Sequence, residues 1–112
     1  MTRLDHHIAV VNACDTAYMV SVMRPAGLYY RIPEKVRDGC QGLLDSNTRG
    51  LEHRAHEALS RCRDAAYDAD RMRHPEKRAA ATRVACDAFF AAMGLAKESY
   101  HRWLVAGNQR EL

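Results

Sequence analysis

Three groups of residues have the types and spacing that chemistry needs. The first is the basic run Arg71-Met72-Arg73-His74-Pro75-Glu76-Lys77-Arg78, in which Glu76 is the sole acid. A proline in this position breaks one helix and opens the next. Side chains at such a hinge fan outward, and the new helix start adds free amide groups and a positive dipole end. That combination suits phosphates. Arg49, Arg54 and Arg63 lie upstream without an obvious acidic neighbour to pair with, and they join Arg71, Arg73, His74, Lys77 and Arg78 as candidate nucleic-acid or partner contacts. The competing reading is a solvated turn, which clusters of four or five basic residues also form.

The second group is His53-x-x-His56-Glu57 together with Glu98-x-x-His101. Glu-x-x-His is half of a di-iron bundle site, which needs two such units and two further inward glutamates. One unit is present, and His53, His56 and Glu57 fall off the apolar face of their own helix. No metal and no other cofactor is expected.

The third group is Cys14, Cys40, Cys62 and Cys86. No C-x-x-C occurs, so neither a zinc knuckle nor a redox pair is indicated. Each reads as a small, free, inward-facing core thiol, one per helix. There is also no glycine-rich phosphate loop, no H-E-x-x-H and no G-x-S-x-G. Nothing in the spacing ties a nucleophile to a base, and the expectation is a protein that is not an enzyme.

The elements that position these residues are helices. The chain has 112 residues, 47% hydrophobic and 28% charged, with few glycines and prolines. Seventeen Lys and Arg against fourteen Asp and Glu leave a formal charge of +3, compatible with an anionic partner without demanding one. No apolar run reaches the roughly 20 residues of a membrane helix. The start, Met1 to His7, lacks the features of a secretory signal. A cytoplasmic location and no membrane partner are expected.

Thr2 and Asp5 resemble a capping box. Leu4, Ile8, Val11, Cys14, Tyr18 and Val22 then mark one face of a first helix, broadened by Val10, Ala13, Ala17 and Val20. Arg24-Pro25 ends it. Tyr29 and Tyr30 in the connection cap the bundle or stack on bases, the former being the commoner use of paired rings. Pro33 and Glu34 open a second helix with Val36, Cys40, Leu43 and Leu44 inward. The turn signal Asp45 to Gly50 breaks it from a third helix over Leu51–Arg73, with Leu51, Ala55, Leu59, Cys62, Ala66, Ala69 and Met72 on one face. On the opposite face Glu57–Arg61, Asp68–Arg71 and Asp70–Arg73 are spaced to pair. Pro75 opens the last helix, with Ala81, Val84, Ala85, Ala88, Phe89, Ala92 and Leu95 inward, a break or bend at Gly94, and a resumption through Tyr100, Trp103 and Leu104. The fold class is all-α: one domain over residues 1–112, a small antiparallel bundle of four helices. Replacing Arg73, Lys77 and Arg78 together by Ala is expected to change stability by less than about 1 kcal/mol, as for exposed charges.

Arg31-Ile32-Pro33-Glu34-Lys35, and Ala65-Ala66-Tyr67-Asp68-Ala69-Asp70 leading into a basic helical segment, give the chain a resemblance over roughly residues 18–104. The pattern is similar to the Avd-type four-helix bundles. These are accessory proteins of diversity-generating retroelements, related to proteins encoded in ribosomal RNA intervening sequences. The resemblance implies a homopentameric, non-enzymatic bundle that binds RNA or DNA and a reverse transcriptase through basic surfaces. Two classes fit the residues. One is a non-catalytic accessory subunit that binds nucleic acid and a larger protein through the basic hinge, a description that small helical subunits of CRISPR effector complexes share. The other is a protein-binding module such as a phage-encoded inhibitor. The expected partners are nucleic acid (RNA or DNA), a larger protein and further copies of the chain.

Overall fold

The computed structural model describes residues 3–23, 31–46 and 51–111. Four helices follow in order: α1 (Arg3–Met23), α2 (Ile32–Ser46), α3 (His53–Arg71) and α4 (Pro75–Glu111), with no strand among the described residues. The all-α bundle is what the sequence specifies. Thr2, the Arg24–Tyr30 connection and the Asn47–Gly50 turn, with Arg49 in it, lie outside the described residues. α4 has 37 residues, and at about 1.5 Å per residue it alone accounts for the 55 Å long axis. Gly94 neither breaks nor ends it, and open space surrounds the position its Cβ would take. By length and composition Pro75–Ala106 is long and apolar enough to cross a membrane, a test that the core helix of a soluble protein also passes.

Successive helices run antiparallel, as their paired residues show. His6 reaches Ser46 across α1 and α2, Arg37 reaches Asp70 across α2 and α3, and Glu52 reaches Ser99 across α3 and α4. α1 packs on α2 and α4, while α3 packs on α2 and α4. The core is built from Val36, Cys40, Leu43, Leu59, Cys62, Cys86, Phe89 and a series of alanines, all buried. Such small residues let helix axes approach closely. Gly39 sits at a close approach: a Cβ there would lie 3.2 Å from Phe89 Cζ and 3.3 Å from Thr16 Cγ2.

Several expected faces are corrected. On α1 the inward residues are His6, Val10, Ala13 and Val20. Leu4, Ile8, Val11 and Tyr18, expected inside, are 47–72% exposed, and Val22 is exposed with them. Polar and apolar residues are poorly separated around α1, and its neighbours α2 and α4 cover only one side of it. Val84 and Met72 are likewise exposed, because α4 turns Thr82, Ala85 and Phe89 inward and α3 ends before Met72. α3 begins at His53, with Leu51 buried just ahead of it, and stops at Arg71. Of the cysteines, Cys40, Cys62 and Cys86 are buried free thiols, whereas Cys14 is half-buried. Hydrogen bonding with Cys40, reinforced by burial, pushes the Cys62 thiol far above its ordinary range, which makes it a poor nucleophile.

His6 is fully buried at the end of the bundle opposite the hinge. Ser46 Oγ donates to Leu43 O at 2.8 Å, so it accepts from His6 Nδ1–H, also at 2.8 Å. That fixes the lone pair on Nε2, which is buried without a partner beside the Trp103 ring, 5.0 Å away and edge-on. Burial, and to a lesser extent the neighbouring His7, hold His6 below its ordinary value of 6.5. The unfolded chain therefore takes up this proton first. Stability contributed by neutral His6 is complete above pH 6.5 and drains as pH falls toward the depressed native value. Urea midpoints measured between pH 7.5 and 5 should fall in the native protein, and fall less steeply in His6→Gln. Parallel curves would remove His6 as the cause.

Candidate nucleic-acid and partner interface

The hinge forms where α3 ends and α4 begins. Met72 caps α3, its amide donating to Ala69 O at 3.2 Å. His74 stands at the N-cap of α4, with Nδ1 accepting a long bond from the Lys77 amide at 3.4 Å. Pro75 follows at the first helical position, where a missing amide hydrogen costs nothing.

The basic residues there divide by what they touch. Arg78 is turned inward. Its guanidinium donates to Ala69 O at 3.2 Å, Asp70 O at 2.7 Å and Asp70 Oδ1 at 3.1 Å. It closes the carbonyl end of α3, a structural task for a side chain expected to be a solvated contact. The expectation that Arg78 could be removed without loss of stability is corrected on this geometry. Arg71 lies over the Tyr67 ring, 5.3 Å from its centroid. Arg73, His74 and Lys77 are exposed, and Arg73 and Lys77 form no ion pair among the described residues. The expected Asp70–Arg73 pair is replaced, because Asp70 faces Arg78 and also Arg37 Nη1 at 3.8 Å. Glu57–Arg61 is present at 3.8 Å, and Glu57 also meets His53 Nε2 at 3.1 Å.

The upstream candidates do not gather at the hinge. Arg63 is midway along α3, tied to Asp64 at 3.2 Å and to Gln41 Oε1 of α2 at 3.2 Å. Arg54 is exposed in the first turn of α3, at the far end, roughly 25 Å from Arg71 at the helical rise. Near it, Glu52 is held below its ordinary range by hydrogen bonding with Arg102, whose Nη2 donates to Oε2 at 2.7 Å. Against known families, curated proteins and solved structures, the chain returns no match. What the site can do rests on its own geometry. No group of three or more His, Cys, Asp or Glu among the described residues is placed to hold a metal ion.

Two features escaped the sequence reading. The start of α2 brings Arg31 and Lys35 to the same end as the hinge, since α2 and α3 are antiparallel and Arg37 already meets Asp70. Counting positive charge across the ends of the expected hairpin would have found them. The other is the outer face of α1. Leu4, Ile8, Val11, Tyr18 and Val22 recur at intervals of three, four or seven residues and, with Met19, are 43–72% exposed. The spacing was legible, but its direction was not.

Proposed function

We propose that this protein is a non-catalytic accessory module that holds a larger protein along α1 and nucleic acid at its basic end. The observation that carries the reading is the α1 stripe. A helix that keeps large apolar side chains on the face its own bundle leaves open gains stability when a partner covers that face. Six large apolar side chains are exposed along one helix, with Asp15 between Val11 and Tyr18, and exposed apolar surface of this extent marks interaction surfaces. A photo-cross-linking residue in place of Val11 should couple to one heterologous protein in the native cell. The same residue in place of exposed Arg83 on α4 should not, and Ile8→Asp should abolish the Val11 product. Cross-links confined to further copies of the chain, or none, would count against a larger partner.

The nucleic-acid half is supported by Arg71 at the end of α3, Arg73 in the hinge and Lys77 in the first turn of α4, with Arg31 and Lys35 at the same end. It is also the role that the resemblance to Avd-type bundles implies. Binding of a labelled 20-nucleotide RNA should weaken steeply with salt, since each phosphate contact releases counterions. The double substitution Arg73→Ala, Lys77→Ala should lower the slope of log K against log salt by about two units. Both side chains are exposed, so the fold should tolerate it within about 0.5 kcal/mol per site. An unchanged slope would return the hinge to a solvated turn.

A further inference from the structure

Beside the stripe, α1 and α2 leave an open groove of about 430 Å³. Its floor is small: Ala9 and Ala13 on α1, Gly39 on α2. Its lips are Ile8 and Gly42. Ile8 is 47% exposed, and Met19, also exposed, sits three turns further along the same side of α1. Nothing lies within 4 Å of where a Cβ on Gly42 would stand, so the backbone of α2 is accessible there. The groove runs from Asp5 to Thr16 on α1, roughly 16 Å, or three helical turns.

The charges are one-sided. Among the described residues that line the groove, the charged ones are Asp38 and Asp45, with Asp5 at its end, on a chain whose net charge is +3. Asp45 accepts a bond from the neutral amide of Gln41 at 2.7 Å and forms no ion pair among the described residues. Asp38 has one cation near, Arg37 Nε at 3.5 Å, and Arg37 also serves Asp70. An open trough three turns long, with an Ile8–Ala9–Ala13 side, backbone accessible at Gly42, and Asn12, Thr16, Ser46 and the carboxylates as its polar part, can accept an amphipathic α-helix. Its potential selects the sign of that helix.

We propose that the α1–α2 groove docks a cationic amphipathic helix of a partner protein. An apolar seam of that helix covers Ile8 and the floor, and flanking Lys or Arg side chains meet Asp38 and Asp45. The proposal rests on α1 being a docking face and adds the partner's chemistry.

The test uses the intact protein and two 15-residue helical peptides. Both carry the same Leu seam at i, i+3, i+4 and i+7; the other positions are Lys in one and Glu in the other. The Lys peptide should bind at least tenfold more tightly than the Glu peptide, and should weaken several-fold between 50 and 300 mM salt. A Cβ at Gly42 meets no neighbour within 4 Å and α2 gains helix propensity there, so Gly42→Leu should melt no lower than the native protein and still weaken Lys-peptide binding at least tenfold. Asp38→Asn with Asp45→Asn should bring the two peptides toward equal affinity. Equal binding of both peptides, binding by neither, or indifference to Gly42→Leu would overturn the proposal. So would a dimer of the chain itself that Gly42→Leu dissociates, because the groove would then belong to a second copy. A Val11 cross-link that persists while the peptides fail would leave the α1 face standing and remove the cationic helix. Loss of both would remove the docking face as well.

Discussion

Phe89→Ala should destabilise the bundle by about 3–5 kcal/mol, the range for truncating a buried aromatic where the cavity cannot close. Phe89 is fully buried and packs its edge against Gly39, where a Cβ would stand 3.2 Å from Cζ. The core it belongs to is rich in Ala13, Ala55, Ala66, Ala85 and Ala92, which have no rotamers with which to fill a void. Collapse would require whole helices to shift. The ring and the glycine should also be coupled. Gly39→Ala alone forces its new methyl against the ring, whereas in Phe89→Ala it enters vacated space and gains helix propensity of nearly 1 kcal/mol. A double-mutant cycle by urea denaturation should show that the pair is less damaging than the sum, by about 1 kcal/mol or more. Additive effects would mean that the close approach at Gly39 carries no energy. A loss below about 1.5 kcal/mol for Phe89→Ala would mean that the core repacks.

Arg78→Ala should cost about 2–3 kcal/mol, far more than its neighbour Lys77→Ala at no more than about 0.5. The last carbonyls of a helix have no partner within it. Arg78 satisfies Asp70 O, shares Ala69 O with the Met72 amide, and pairs with the Asp70 carboxylate, with 21% of its side chain exposed. One planar guanidinium spans all three acceptors. Lysine offers a point charge, so Arg78→Lys should recover less than half of the loss. The hinge should loosen as well, with faster amide exchange across the end of α3 in Arg78→Ala than in Lys77→Ala. If the two alanine variants are equally stable, the hinge is held by Pro75 and packing alone.

The faces of α2 and α3 were legible because polar and apolar residues separate cleanly around them. Val36, Cys40, Leu43 and Leu44, and then Leu51, Ala55, Leu59, Cys62, Ala66 and Ala69, are buried as their spacing requires. α1 was not legible, because residues apolar on both sides give two equal answers to which side is inside. Leu4, Ile8, Val11, Tyr18 and Val22 looked like core, and the bundle left them out. The candidate site was half legible. Its location at the Pro75 hinge could be read from charge, but a run of arginines does not say which guanidinium points at a carbonyl.

The sequence by itself determined that the chain is helical, where its helices change direction, and that positive charge concentrates around Pro75. These follow from propensity, proline and spacing, which act within a few residues. Only the tertiary structure decided that Arg78 is a structural cap, that His6 is buried beside Trp103, and that Arg54 and Arg63 stand apart from the hinge. It also decided that Asp5, Asp38 and Asp45 share one groove under an exposed apolar helix. Each of these depends on which helix faces which, through contacts between residues far apart in the chain. In a bundle that choice is made by close packing of whole faces at once, which no local pattern encodes.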